Sequence, residues 1–259
     1  MGGEPWFPSQ LSLVIVERAE HPTWTSNAYL VADGDGGHGV LIDSNGEEAP
    51  LLALVDERRL TVTHVLVTHH HADHVVKVGA LARRFGVPVV GSRLTADAGV
   101  PIDQTIEDGT SIATGALTIE AIAVPGHCLD QTAYLVGGTD CFTADCLFKG
   151  TVGGTAGGGA NGFADHRRSI MERLMTLPPG TRIHPGHTLP TTIGEEWEHN
   201  PFIRIWRGLD PEKHEPCRVR GADATLILFG PDYDGTHKAW VRFPDGRDAI
   251  VGGSQIERG

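Results

Sequence analysis

The chain has 259 residues, 40% apolar and 21% charged, which allows a sizeable core and excludes wholesale disorder. Its formal charge of −12 argues against a nucleic-acid partner, because phosphate binding rests on clustered Lys and Arg. The one basic pair, Arg83-Arg84, reads as a solvated helix face. The start, MGGEPWFPSQ, lacks a basic stretch leading into an apolar one, and no run of about 18 apolar residues occurs. Cys128, Cys141, Cys146 and Cys217 form no CxxC pair, so a cytoplasmic protein with reduced thiols and no membrane span is expected.

In chain order, residues 11–16 and 27–31 read as strands, with a turn over 34–39 leading to a third at 40–43. Residues 49–59 read as helix and 62–68 as a buried strand. Val75, Val78, Leu81, Ala82 and Phe85 recur at i, i+3, i+4 spacing, predicting one helix over 73–85 that Gly86 ends. A short strand starts at 88–90, and further strands come at 117–124, 132–136 and 140–144. The segment KGTVGGTAGGGANG (149–162) is a loop, entropically costly to order, and serves either as a lid or as a solvated connector. Asp165 is the expected N-cap of a helix carrying Ile170, Leu174 and Leu177, and 182–184 is a last short strand. Beyond Ile203 the texture changes. Short strands at 224–229, 238–243 and 248–251, separated by PDYDGT and PDGRD turns, suggest a β-rich appendage over 209–259 behind a catalytic domain over 1–208. That appendage is a candidate interaction module or homodimer contact.

The chemistry-bearing residues sit directly after the central strands. THHHADH (68–74) comes after the strand at 62–68, PGH with His127 after 117–124, Asp145 after 140–144, and a second PGH with His187 after 181–184. Strand ends on one rim of a layered α/β protein converge on a site. Neutral imidazole and carboxylate bind Zn²⁺ at about 2.0–2.2 Å, and seven donors are too many for one tetrahedral ion. They suit two ions sharing a carboxylate. His127 and His187 must then fold to within about 10 Å of the first cluster.

These residues resemble the metallo-β-lactamase superfamily, whose HxHxDH signature THHHADH matches. PGH at 125–127, FTADCLFKG at 142–150 and HPGHTLPTTIGEEWEHNPF at 184–202 are similar to its later motifs, closest to the glyoxalase II-like branch. The resemblance implies an α/β fold, a four-layer αβ/βα sandwich. It implies one metal on His69, His71 and His127, a second on Asp73, His74 and His187, and Asp145 bridging both. Asp43 falls where the family has a supporting aspartate. Two divalent ions are implied, zinc foremost, with manganese or iron as alternatives. The expected reaction is hydrolysis of an ester-type bond, thioester or lactone, in a small, anionic substrate. A metal-bridging hydroxide is the expected nucleophile, with Asp73 orienting it and passing a proton to the leaving group. The alternative on the same scaffold is a mononuclear iron persulfide dioxygenase.

The chain departs from glyoxalase II where glutathione would be held. Lys149 is the only cation of the 149–162 loop, and the C-terminal segment reads as β instead of helical. His70 is expected to point away from the site and His184 to belong to a strand. Cys128 and Cys146 each directly succeed an expected ligand and are expected to face the other way. His21, His38, His166, His199, His214 and His237 default to structure or surface, and Trp24 and Tyr29 to core packing.

Overall fold

The computed structural model describes residues 14–258. The expected strand at 11–16 therefore lies partly outside the described residues, as does the N-terminal decapeptide. Strands β1 (Ile15–Glu20), β2 (Asn27–Ala32), β3 (His38–Ile42), β4 (Thr61–Leu66), β5 (Val89–Ser92) and β6 (Gln104–Ile106) form one sheet in sequence order. The chain then lays down β7 (Ser111–Thr114), β8 (Leu117–Ala123), β9 (Thr132–Val136), β10 (Asp140–Ala144), the hairpin β11 (Leu147–Phe148) and β12 (Thr151–Val152), β13 (Arg182–Pro185) and β14 (Thr191–Thr192). The second sheet has the order β14-β13-β10-β9-β8-β7.

Alternation along the strands makes the layers. On β2 and β3, Tyr29, Val31, Val40 and Ile42 face Ile119, Tyr134 and Phe142 of the second sheet, while Leu30 and Leu41 face outward. The outward face of the first sheet is covered by helices α1 (Ala49–Glu57) and α3 (Val78–Phe85), through Leu51, Val55, Val78 and Leu81. The outward face of the second packs Ile183 and Ala133 against Ile170, Leu174, Ile193, Phe202 and Trp206. The result is the expected four-layer αβ/βα sandwich.

The helices differ from expectation in detail. The helix predicted over 73–85 is two pieces, α2 (Ala72–Val75) and α3, because Lys77 leaves helical backbone at φ −127°. After α4 (Arg93–Asp97), helix α5 (Phe163–Arg168) starts behind Gly162, so Asp165 lies in its first turn instead of capping it. The chain continues as a π-helical turn over Ser169–Leu174. Helices α4, α6 (Ile193–His199) and α7 (Pro201–Trp206), strands β6 and β7, and the appendage strands over Glu215–Val219 and Ile256–Arg258 were not foreseen. Their signals are local. The Thr192 hydroxyl accepts from the Glu195 amide, and Asn200 Oδ1 accepts from the Phe202 amide ahead of a proline-led turn.

The C-terminal strands β15 (Glu215–Val219), β16 (Ala222–Pro231), β17 (His237–Arg242), β18 (Asp248–Gly252) and β19 (Ile256–Arg258) pair in the order β18-β17-β16-β15-β19. Only Gly253–Gln255 separate the two outer strands. Four inter-strand spacings span about 19 Å in a flat sheet, whereas so short a link reaches at most about 14 Å. The sheet must therefore curl, and it encloses Val219, Leu226, Ala239, Val241 and Val251. Its other face lends Ile227, Trp240 and Ile250 to the core beneath the second sheet.

Candidate metal centre

Every expected donor lies beyond the carboxyl end of a strand, on one rim. After β4 the backbone stays extended through His71 (φ −61°, ψ 142°) and then turns into α2. Side chains two apart on extended backbone share a side. His69 and His71 accordingly turn inward, with ring centroids 4.8 Å apart, while His70 turns away to bond Asp130 at 2.8 Å. The first turn of α2 then carries Asp73 and His74 to the same rim.

The chain brings the seven donors together. His127 Nε2 lies 3.0 Å from His71 Nδ1, and His69, His71 and His127 offer atoms all within 4.8 Å of one another. Asp73, His74 and His187 form a second such group, with Asp73 Oδ2 3.6 Å from both His74 Nε2 and His187 Nε2. Asp145 stands between them. Its Oδ2 is 3.5 Å from His127 Nε2 and 3.4 Å from His187 Nε2, and its Oδ1 is 3.4 Å from His74 Nε2. A register shift between Phe142 and Ala144, with Ala144 at φ 45°, aims this carboxylate off the end of β10.

Three buried donor atoms, His69 Nε2, His74 Nε2 and Asp145 Oδ1, have no hydrogen-bond partner among the described residues. A buried polar atom without a partner is costly, and cations held at this rim would satisfy all three. Space is reserved as well. A Cβ on Gly186 would fall 2.1 Å from Asp145 Oδ1 and 3.0 Å from His74 Cε1, inside the donor cluster. The residues therefore fit a divalent-metal centre.

The donors are held from behind. Asp43, at the end of β3, accepts from the Thr68 amide (2.8 Å) and hydroxyl (2.7 Å) and bonds His74 Nδ1 at 2.9 Å. Burial alone would make His74 less basic, but Asp145 and Asp43 hold its pKa well above the ordinary value. His69, equally buried, is pushed well below by desolvation and by the neighbouring His74. Burial would raise Asp145, yet His187 and His74 hold it well below the usual carboxylate range.

The glycine-rich segment contributes backbone. His127 Nδ1 lies 2.9 Å from the Gly154 carbonyl and His71 Nε2 lies 3.2 Å from that of Gly158. A Cβ on Gly153 would meet the Asp145 carbonyl at 1.9 Å, so only glycine lets the segment lie this close. Through these two carbonyls the loop forms a backing wall to two histidines. The start of this wall is tied down by buried Glu196 of α6, which accepts from the Gly150 amide at 2.9 Å and from Thr191 and Asn200.

Other residues divide. His184 bonds Asp140 at 2.8 Å and stacks on Phe142, away from the rim. Tyr29 is core, as expected, with its hydroxyl on the Pro185 carbonyl, whereas Trp24 is 45% exposed and lines the cavity over the donors. His166 is buried, with both ring nitrogens unpartnered among the described residues. All four cysteines are buried, and none is in a disulfide. Cys128 corrects the sequence reading, because residues 126–128 bend instead of extending, and its Sγ reaches 3.3 Å from His71 Nε2. Burial and Asp130 push that thiol far up, so it stays protonated. Sequence reasoning missed Tyr233, from the turn between β16 and β17, whose ring stacks on His187 at 4.3 Å.

The model of the metallo-beta-lactamase superfamily matches residues 21–187. A hydroxyacylglutathione hydrolase of Mesorhizobium japonicum is 34% identical over 227 residues, covering 71% of this chain and 85% of its own length. Among solved structures, ETHE1 from Myxococcus xanthus superposes with a TM-score of 0.66 at 33% identity, over 76% of this chain and 91% of that one. TTHA1623 in a di-iron-bound form does so with 0.62 at 32%, over 72% and 100%. The chain belongs to the metallo-beta-lactamase superfamily. Its relatives set it beside the glyoxalase II-like hydrolases, and it is a metallo-hydrolase with His and Asp clusters suited to divalent ions. Among the described residues no helix is long and apolar enough to cross a membrane.

Proposed function

We propose that the chain is a dinuclear hydrolase of an ester-type bond, thioester or lactone, working on a small molecule with two divalent ions, zinc foremost. The observation that carries this is the pair of triads with Asp145 between them and buried, unpartnered atoms facing inward. His69, His71 and His127 would hold one ion, Asp73, His74 and His187 the second, and Asp145 both. When bound, such ions supply Lewis-acid polarisation of a carbonyl and a water acidified toward pKa about 7. Asp73, a quarter exposed at the cavity, is the carboxylate that would orient the attacking water and hold the proton due to the leaving group. Asp43 fixes the His74 ring so that Nε2 faces the site.

Similarity to hydroxyacylglutathione hydrolases makes a glutathione thioester the first substrate to test. The cavity disfavours it, because no Lys or Arg lines it among the described residues, and Lys149 is exposed elsewhere. The attraction expected for an anion is therefore confined to the ions themselves. We further read residues 1–208 as the catalytic domain and 209–259 as the appendage, in a cytoplasmic protein whose cysteines, in no disulfide, suit a reducing compartment. Elemental analysis beside thioester and lactone assays tests the proposal. Two zinc equivalents with turnover are expected, while one iron with oxygen uptake on a persulfide would replace it by the dioxygenase reading.

A further inference from the structure

The appendage reaches into the site. Tyr233 sits in the β16–β17 turn, beyond the residues matched by the family model, yet it lines the same cavity of about 420 Å³ as Asp73, Asp145 and His187. Its ring stacks on His187 with 19° between the planes and meets Phe148 edge-on at 5.0 Å. The turn is built to hold it there. Lys238 pairs with Asp232 at 2.9 Å, both side chains being more than nine-tenths buried, and the ammonium lies 5.2 Å from the Tyr233 ring. Asp234 accepts from the Thr236 amide and hydroxyl and closes the turn. The tyrosine hydroxyl has no hydrogen-bond partner among the described residues.

Trp24, from the β1–β2 turn, lines the same cavity. Its stack on His21 at 4.4 Å occupies one indole face, and the residue remains 45% exposed. Besides the expected donors, only Trp24, Ala72 and Tyr233 line the cavity among the described residues. Two aromatic rings and a methyl group, with no cation, form a wall for a flat, uncharged group.

We propose that Tyr233 is a substrate-positioning residue and that the site takes esters or thioesters bearing a planar, uncharged substituent, packed between the edge of the Tyr233 ring and the open face of Trp24. This rests on the ester-hydrolase reading and names its substrate class. The curled C-terminal sheet is then a working part of the site.

The test compares methyl thioesters of phenylacetic and acetic acid on the zinc-loaded protein. Tyr233→Ala should raise KM for the phenylacetyl ester about tenfold, with kcat within about threefold and the acetyl KM unmoved; Tyr233→Phe should stay near wild type. Trp24→Ala, on a separate element, should repeat the split. Equal loss on both esters, or a fall in kcat together with metal content, would reduce Tyr233 to a structural role and overturn the proposal. Binding of phenylacetamide against acetamide, monitored by intrinsic fluorescence, separates the two readings. If wild type cleaves neither ester but binds phenylacetamide through Tyr233, the hydrolase reading fails and the aromatic wall stands. If it cleaves both esters alike and binds neither amide, the wall fails and the hydrolase reading stands.

Discussion

The two donor triads each take two donors from THHHADH and one from a PGH segment, and they are supported in different ways. Behind His71 and His127 stand neutral backbone carbonyls, those of Gly158 and Gly154, with the protonated thiol of Cys128 and the uncharged ring of His166 close by. Behind His74 stands the carboxylate of Asp43, and behind His187 the face of Tyr233. A carboxylate partner makes an imidazole a stronger donor than a carbonyl does. On the dinuclear reading the two ions would be held with unequal grip, and that inequality is open to measurement.

The largest effect is expected where the triads meet. Asp145→Ala removes the group common to both and should lower turnover by about three orders of magnitude or more, with loss of bound metal by elemental analysis. Near-wild-type turnover with two ions bound would mean that the triads act separately.

Next comes acid sensitivity behind the first triad. Burial lowers the pKa of His166 from 6.5 to about 3. The unfolded chain then binds more protons between those values, so stability is full above pH 6.5 and falls as pH drops toward about 3, by up to about 4 kcal/mol. His166→Leu should flatten that limb in denaturant titrations; an unchanged slope would assign the acid sensitivity to other groups.

A smaller and more selective effect is expected from Asp43→Asn. It should weaken the second ion, by about 10–100-fold in chelator competition, more than the first, which Asp43 reaches only through the Thr68 hydroxyl beside His69 Nδ1. Equal weakening of both would erase the contrast between the triads. The smallest effect belongs to Cys128→Ser. With its thiol protonated, metal content should hold and activity should change by less than about threefold. Loss of one ion would instead make the sulfur a ligand.

The donors were legible in the sequence because each is a chemically distinctive side chain placed directly after a strand, and β-branched runs mark those strands well. The groups that back the donors were less legible. The carbonyls of Gly154 and Gly158 carry no residue signature, since any residue supplies a carbonyl, and only the crowding at Gly153 explains the composition of the segment. Tyr233 has no partner at recognisable spacing, because curling of the distant sheet delivers it. Lys77 fits the helical pattern around it, yet the chain breaks there so that α2 can serve the rim and α3 the core. Helices α6 and α7 could have been found from Thr192-x-x-Glu195 and Asn200-Pro201, whose capping chemistry is local.

The aromatic seam of Phe163, Trp206 and Trp240 has a wider consequence, since α5, α7 and β17 supply one ring each. A polypeptide cut after α7 would leave Phe163 and Trp206 facing water where Trp240 now covers them, a greasy scar prone to clumping. Both halves should accordingly melt in one step, and selection could not shed the curled sheet without first repainting the surface it hides.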